Sequence, residues 1–187
     1  MESNQPLMDH DARKPPRQVI VLSFLLLVVF LVILGWGMRN RYQGGVRVGQ
    51  PAPQFVLTTF DGQQVSSADL QGKVILVHFW ASWCDICQDE QPILEQVWRQ
   101  YQRDGEITFV GVAYADTESK AREYAQKFEL TYPNGLDTQS TISDSYRIRG
   151  VPQTFVVGRD GRLVFAKVGP FASQDEVTRL VERALEK

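Results

Sequence analysis

Cysteine and histidine are scarce here: the 187 residues hold two of each. Two cysteines can close a single bridge, so a fold stapled by a disulfide framework is excluded. With only Cys84, Cys87, His10 and His78 available, a tetrahedral zinc site built on the cysteine pair lacks the usual partners. Excess charge is also missing. A net charge of −2 without a basic run gives no reason to expect nucleic-acid binding. There is no internal repeat and no low-complexity tract.

What is present is concentrated. The cysteines stand as Trp83-Cys84-Asp85-Ile86-Cys87, directly after the apolar run Val74-Ile75-Leu76-Val77-His78-Phe79-Trp80. A Cys-x-x-Cys pair at a strand-to-helix junction is a dithiol that can close and reopen. If Cys84 opens a helix, the free N–H groups and the helix dipole favour its thiolate. Cys87 then lies one turn on, placed to attack a mixed disulfide formed at Cys84. Trp80, Trp83 and Ile86 supply an apolar surround. An inert staple is the competing reading, but so short a loop removes little chain entropy. Redox chemistry is the reading that fits.

The front of the chain is different in kind. Val19 to Met38 carries no charge, and only Ser23 interrupts the apolar stretch from Val19 to Leu34. Twenty helical residues span roughly 30 Å, the thickness of a bilayer core. A buried core helix would need polar positions at helical spacing, and there are none. A cleaved signal peptide competes, with small residues at Gly35 and Gly37, but the apolar run and the leader before it are long for one. The expected organisation is a cytoplasmic leader at 1–18, a transmembrane anchor at 19–38, a tether at 39–47 and a folded domain at 48–187. Basic residues flank both ends of the span, so the dithiol, not charge, argues for a domain outside the cell membrane.

Strand and helix signals alternate through that domain. Phe55-Val56-Leu57, the Asp61-Gly62 turn and Val65 predict a small hairpin. Val74 to Trp80 and Ile107 to Ala113 read as strands buried on both faces. Leu94, Val97, Trp98 and Tyr101 mark a helix that Pro92 should kink. Ala121, Tyr124, Ala125 and Phe128 mark another. Thr154–Val157 and Leu163–Ala166 flank a Gly158-Arg159-Asp160-Gly161 turn, and Val177, Leu180, Val181, Ala184 and Leu185 line a last helix. The order predicts an α/β fold: a mixed central sheet with helices on both faces, an N-terminal β-hairpin extension and one preceding transmembrane helix.

Phe79-Trp80-Ala81-Ser82-Trp83-Cys84-x-x-Cys87, with Gly150-Val151-Pro152 ahead of the late hairpin, resembles the thioredoxin-like fold. More narrowly the chain is similar to membrane-anchored thioredoxin-like proteins of the TlpA/ResA type, which include reductases serving cytochrome c maturation. The leader Val48-Gly49-Gln50-Pro51-Ala52-Pro53-Gln54-Phe55, with Asp61-Gly62 and Gly72-Lys73, resembles the hairpin these proteins share with peroxiredoxins. Glu90-Gln91-Pro92 matches their Glu-x-Pro. The sequence departs from the pattern in two places. Asp85-Ile86 stands where many relatives carry a proline before the second cysteine, which together with the charge of Asp85 argues for a weaker oxidant. His78 replaces a buried Asp or Asn.

The resemblance implies roles. Cys84 attacks, Cys87 resolves, and Pro152 is the cis-proline packed against them. Val151 and Trp83 contact an extended substrate. Glu90, three residues after Cys87, handles the proton of the resolving thiol, against the plainer reading of a solvated surface glutamate. His78 reads either as a proton shuttle or as a hydrogen-bonded structural histidine, and the pairing of buried polar groups favours the second. No organic cofactor or metal is needed. The implied partners are disulfide-containing exported proteins such as apocytochrome c, and a membrane thiol donor of the CcdA/DsbD kind. A thiol peroxidase would need a Pro-x-x-x-Thr-x-x-Cys context that is absent. A Sco-type copper chaperone would need a downstream histidine, and an oxidase resembling DsbA a large helical insertion. A non-catalytic anchored binding module would tolerate loss of both thiols.

Overall fold

The computed structural model describes residues 17–41 and 46–186. Residues 1–16 of the expected leader and 42–45 of the expected tether fall outside them. In the first unit, helix α1 runs Arg17–Arg41, and its residues Arg17 to Gly35 are long and apolar enough to cross a membrane. Its apolar side chains from Val19 to Leu34 are all exposed.

The second unit opens with the hairpin β1 (Val56–Thr58) and β2 (Gln64–Ser66), paired antiparallel around the Asp61-Gly62 turn. Then follow β3 (Val74–Trp80), α2 (Asp85–Tyr101), β4 (Ile107–Ala113), α3 (Glu118–Lys127) and β5 (Asn134–Leu136). The short α4 (Thr141–Tyr146), β6 (Gln153–Val157), β7 (Leu163–Val168) and α5 (Gln174–Leu185) complete it. The sheet order is β5-β4-β3-β6-β7, with β3, β4 and β5 parallel and β6 and β7 antiparallel to their neighbours. This is a thioredoxin-like fold.

Side-chain alternation on the strands sorts the core into two faces. Val74, Leu76, Ile107, Phe109 and Val156 meet Leu94, Val97 and Trp98 of α2 and Val177, Leu180 and Val181 of α5. Ile75, Val77, Phe79, Val110 and Val112 point the other way, onto Phe55 and Leu57 of the hairpin and Ile142 and Tyr146 of α4. Every residue of β3 is buried, as its near-continuous apolar run requires. A fully buried Leu or Val of this kind contributes roughly 1.5–3 kcal/mol. α2 stays one helix through Pro92.

Two elements differ from the sequence reading. β5 and α4 are absent from it, because Asn134-Gly135-Leu136 has no apolar run and α4 is six residues long. Packing creates β5. A Cβ on Gly135 would lie 2.2 Å from the Thr58 carbonyl oxygen, so only glycine lets the hairpin close on this edge.

Candidate active site

β3 ends at Trp80 and the chain turns through Ala81, Ser82 and Trp83 into α2. Asp116, in the loop before α3, holds this turn: its carboxylate accepts from the Ser82 backbone N–H at 2.6 Å and from the Ser82 hydroxyl at 2.9 Å. Cys84 is the N-cap of α2, with extended backbone, and its Sγ accepts the Cys87 N–H at 3.2 Å. Cys84 and Cys87 are joined by a disulfide of 2.04 Å. Cys84 reaches the surface with 6% of its area, whereas Cys87 is fully buried. An incoming group therefore meets Cys84 first.

Across the site, the Val151–Pro152 peptide bond is cis, as the sequence implied. The Val151 carbonyl oxygen lies 3.8 Å from Cys84 Sγ, and its half-buried side chain packs on the cluster of Trp80, Ala81, Cys84, Cys87, Ala113, Ala121 and Tyr124. Pro152 is buried, and its carbonyl accepts from Gly169 N–H at 2.9 Å. Trp83 and Ile86 stand exposed beside the disulfide, at 56% and 55%. The Trp83 indole N–H donates to Ala115 O at 3.1 Å, which holds the ring without covering it. The sequence-predicted residues Cys84, Val151 and Trp83 thus share the accessible side of the site, with Cys87 and Pro152 buried.

Behind the disulfide lies a buried polar cluster. Glu90 is fully buried, on α2 three residues past Cys87, so the surface-glutamate reading does not hold. Its Oε2 accepts from Phe171 N–H at 3.0 Å, while Oε1 has no hydrogen-bond partner. Burial pushes its pKa up to about 7, against the partial relief of the Phe171 N–H and the Lys167 charge. His78, from the centre of β3, is also fully buried. Its Nδ1 lies 3.0 Å from Thr154 Oγ1, and Nε2 lies 3.6 Å from Glu90 Oε1. Burial depresses its pKa to about 3. Below about pH 7 the two therefore face each other as neutral groups, and with His78 neutral they do not form an ion pair.

Gln91, Tyr132 and Thr154 complete the cluster, and the sequence reading missed all three. The Tyr132 hydroxyl donates to Gln91 Oε1 at 2.7 Å, and Gln91 Nε2 is 3.5 Å from His78 Nε2. Gln91 carried a signal, since it shares a helical face with Cys87, Leu94 and Trp98. Thr154 carried none, because only the β3–β6 register puts it opposite His78.

Residues 48–166 match the AhpC/TSA family model. The chain belongs to the AhpC/TSA family. Among relatives, this family member is 27% identical to the thiol-disulfide oxidoreductase ResA of Geobacillus kaustophilus over 173 residues, 91% of this chain and 96% of that one. It is 29% identical to the thioredoxin-like protein YneN of Bacillus subtilis, covering 85% of this chain and 95% of that one. A thiol:disulfide interchange protein of the thioredoxin family from Chlorobium tepidum superposes with a TM-score of 0.68 at 32% identity, covering 76% of this chain and 99% of that structure. The TlpA/ResA-type resemblance seen in the sequence agrees with these relatives. This AhpC/TSA family protein is a thioredoxin-fold thiol-disulfide oxidoreductase.

Proposed function

We propose that the chain is a membrane-anchored reductase of disulfides in exported proteins. Residues 1–18 face the cytoplasm, 19–38 cross the membrane, 39–47 tether, and 48–187 work outside the cell membrane. The observation that carries the reading is the asymmetry of the Cys84–Cys87 pair: one sulfur at the rim of an apolar surface, its partner fully buried one helical turn before the buried Glu90.

In the reduced chain Cys84 thiolate attacks one sulfur of a client disulfide. That bond breaks, one client cysteine leaves as thiolate, and a mixed disulfide remains on Cys84. Glu90 carboxylate takes the proton of the Cys87 thiol. Cys87 thiolate then attacks Cys84 sulfur, which closes the Cys84–Cys87 bond and expels the second client thiolate. Two electrons pass to the client. Val151 offers backbone groups to the extended client, with Pro152 fixing that turn and Trp83 lending apolar area. Apocytochrome c is the client class suggested by the TlpA/ResA resemblance, and a membrane thiol carrier of the CcdA/DsbD kind is the electron source.

The test uses the full chain in detergent micelles with an oxidised apocytochrome c peptide. Cys87→Ser should accumulate a mixed disulfide that dithiothreitol releases, and Cys84→Ser should not. Equal trapping by both variants sinks the assigned roles. Turnover of hydrogen peroxide without trapping of the peptide makes the chain a peroxidase instead.

A further inference from the structure

The mechanism uses Glu90 but leaves its neighbours idle, and their geometry is directional. Glu90 Oε1 is buried without a hydrogen-bond partner, and the acceptor facing it is His78 Nε2 at 3.6 Å. A buried carboxylate oxygen without a donor is costly, so Oε1 favours the protonated form, and the nearest base that could take that proton instead is the imidazole. Whether the proton rests on Glu90 or on His78 depends on what else touches Nε2. Tyr132 donates to Gln91 Oε1, which leaves the Gln91 amide N–H₂ turned towards His78 Nε2. A donor pointed at Nε2 makes that nitrogen an acceptor. The ring proton then sits on Nδ1 and is given to Thr154 Oγ1.

We propose that Tyr132, Gln91, His78 and Thr154 form a positioning chain that keeps the proton shared by His78 and Glu90 on Glu90, stored there while the Cys84–Cys87 disulfide is closed. This deepens the reductase reading and rests on it for its catalytic consequence. The proton that Cys87 gives up when the disulfide forms is the one Glu90 then holds against His78. On re-reduction Glu90 returns it to the Cys87 thiolate, so acid, base and thiol balance over one cycle. His78 itself never becomes charged.

Other groups face Glu90 from each element packed on it. Tyr124 of α3 places its buried hydroxyl towards the Gln91 side chain, and burial raises its pKa against that contact. Tyr132, ahead of β5, is raised well above its ordinary value, also by burial. Neither tyrosine ionises near neutrality. Lys167 of β7, ion-paired with Glu176 of α5, acts on Glu90 from the side of Phe171: the lysine lowers its pKa and the glutamate raises it. His78 is therefore the acceptor and Glu90 the titrating member.

The experiment is a pH titration of the oxidised full chain in micelles, labelled with ¹⁵N in histidine and ¹³C in glutamate side chains. The other histidine is His10, so loss of one set of signals in His78→Asn assigns the ring. The expected result is a Glu90 carboxyl midpoint near neutrality, with His78 Nε2 shifting at the same pH and Nδ1 protonated throughout. In Tyr132→Phe the Gln91 amide is released, and the Glu90 midpoint should fall by at least about one pH unit, a tenfold change, as His78 takes the proton. Gln91→Met should move both midpoints in the same directions should Tyr132→Phe fail to fold. A wild-type His78 charged at neutral pH overturns the proposal, and so do midpoints that both variants leave unmoved. Client trapping is a separate readout. A chain that traps the peptide with unmoved midpoints loses only the positioning chain, and one that shows the shifts but traps nothing loses only the reductase.

Discussion

The Trp80 indole N–H donates to Asn134 Oδ1 at 3.0 Å, and the bond passes over Gly111. β3, β4 and β5 are thus joined by a side-chain bridge as well as by their ladders, because Gly111 pairs with His78 on one side and Asn134 on the other. A Cβ on Gly111 would lie 1.8 Å from Asn134 Oδ1 and 2.9 Å from Trp80 Nε1. Gly111→Ala should therefore break the bridge and displace Asn134, at a cost of roughly 2–4 kcal/mol. Calorimetry should show a melting point lower by about 5–15 °C. In the double variant Gly111→Ala, Asn134→Ser the clash is relieved, and the two losses should be markedly less than additive.

Glu95 gives a second test of buried pairing. Its carboxylate accepts from Thr131 N–H at 2.9 Å, Thr131 Oγ1 at 2.6 Å and Arg99 Nε at 2.7 Å, tying α2 to the segment before β5. Glu95→Ala strands the Thr131 donors and should cost roughly 2–4 kcal/mol in thermal unfolding. Arg99 is half exposed. Its truncation to Ala should cost under about 1 kcal/mol, as for surface ion pairs. Equal losses would mean that the Arg99 contact, not the Thr131 pair, holds this junction.

Much of this site could be seen in the chain because its signals are local. The Cys84/Cys87 spacing, the apolar run of β3 and the Val151-Pro152 pair each sit within a few residues of one another. The hairpin from Phe55 to Val65 was equally plain, since an Asp-Gly turn and flanking apolar residues specify it. What escaped depends on partners far along the chain. Thr154 matters because it lies opposite His78, 76 residues away. Tyr132 matters because its hydroxyl meets Gln91, 41 residues away. β5 has no propensity of its own and exists because Gly111 and Gly135 let the backbone and Asn134 come close. Glu90 could be placed on the dithiol side of α2 by spacing alone, but its complete burial needed α5 and the Phe171 segment to close over it.

Glu90→Gln tests the proton step directly. Glutamine keeps the shape and the acceptor for Phe171 N–H but cannot take a proton. Closure of the mixed disulfide by Cys87 should slow on the order of 10²-fold at pH 7 and above, as expected for losing a positioned base. First attack by Cys84 should be little changed, because Glu90 does not reach the surface. Stopped-flow Trp fluorescence with a peptide disulfide separates the two steps. A loss confined to the first step would remove Glu90 from the role given to it.

The same pair fixes how stability depends on pH. Glu90 goes from an ordinary value of 4.5 to about 7 on folding, and His78 from 6.5 to about 3. Between pH 4.5 and 6.5 the unfolded chain holds one proton on this pair, on His78, and the folded chain also holds one, on Glu90. Equal proton counts give zero slope, so the pair makes stability flat across that window. Below pH 4.5 the unfolded chain binds a second proton that the folded chain refuses until about pH 3, so stability falls with acid. Above about 6.5 the unfolded chain has released its proton and the folded chain keeps one until about 7, a narrow window worth less than about 1 kcal/mol. Single variants should tilt the plateau in opposite senses. His78→Leu leaves Glu90 alone with a raised pKa, so its stabilisation is complete below pH 4.5 and drains away as pH rises through the folded value. Glu90→Gln leaves His78 alone with a depressed pKa, so its stabilisation is complete above 6.5 and drains away as pH falls. Melting points of the oxidised full chain and both variants, taken from pH 3.5 to 8, should show one plateau and two opposed slopes. A wild-type curve that slopes steadily between 4.5 and 6.5 would mean that the two contributions do not cancel, so that one of the two residues keeps an ordinary pKa in the fold.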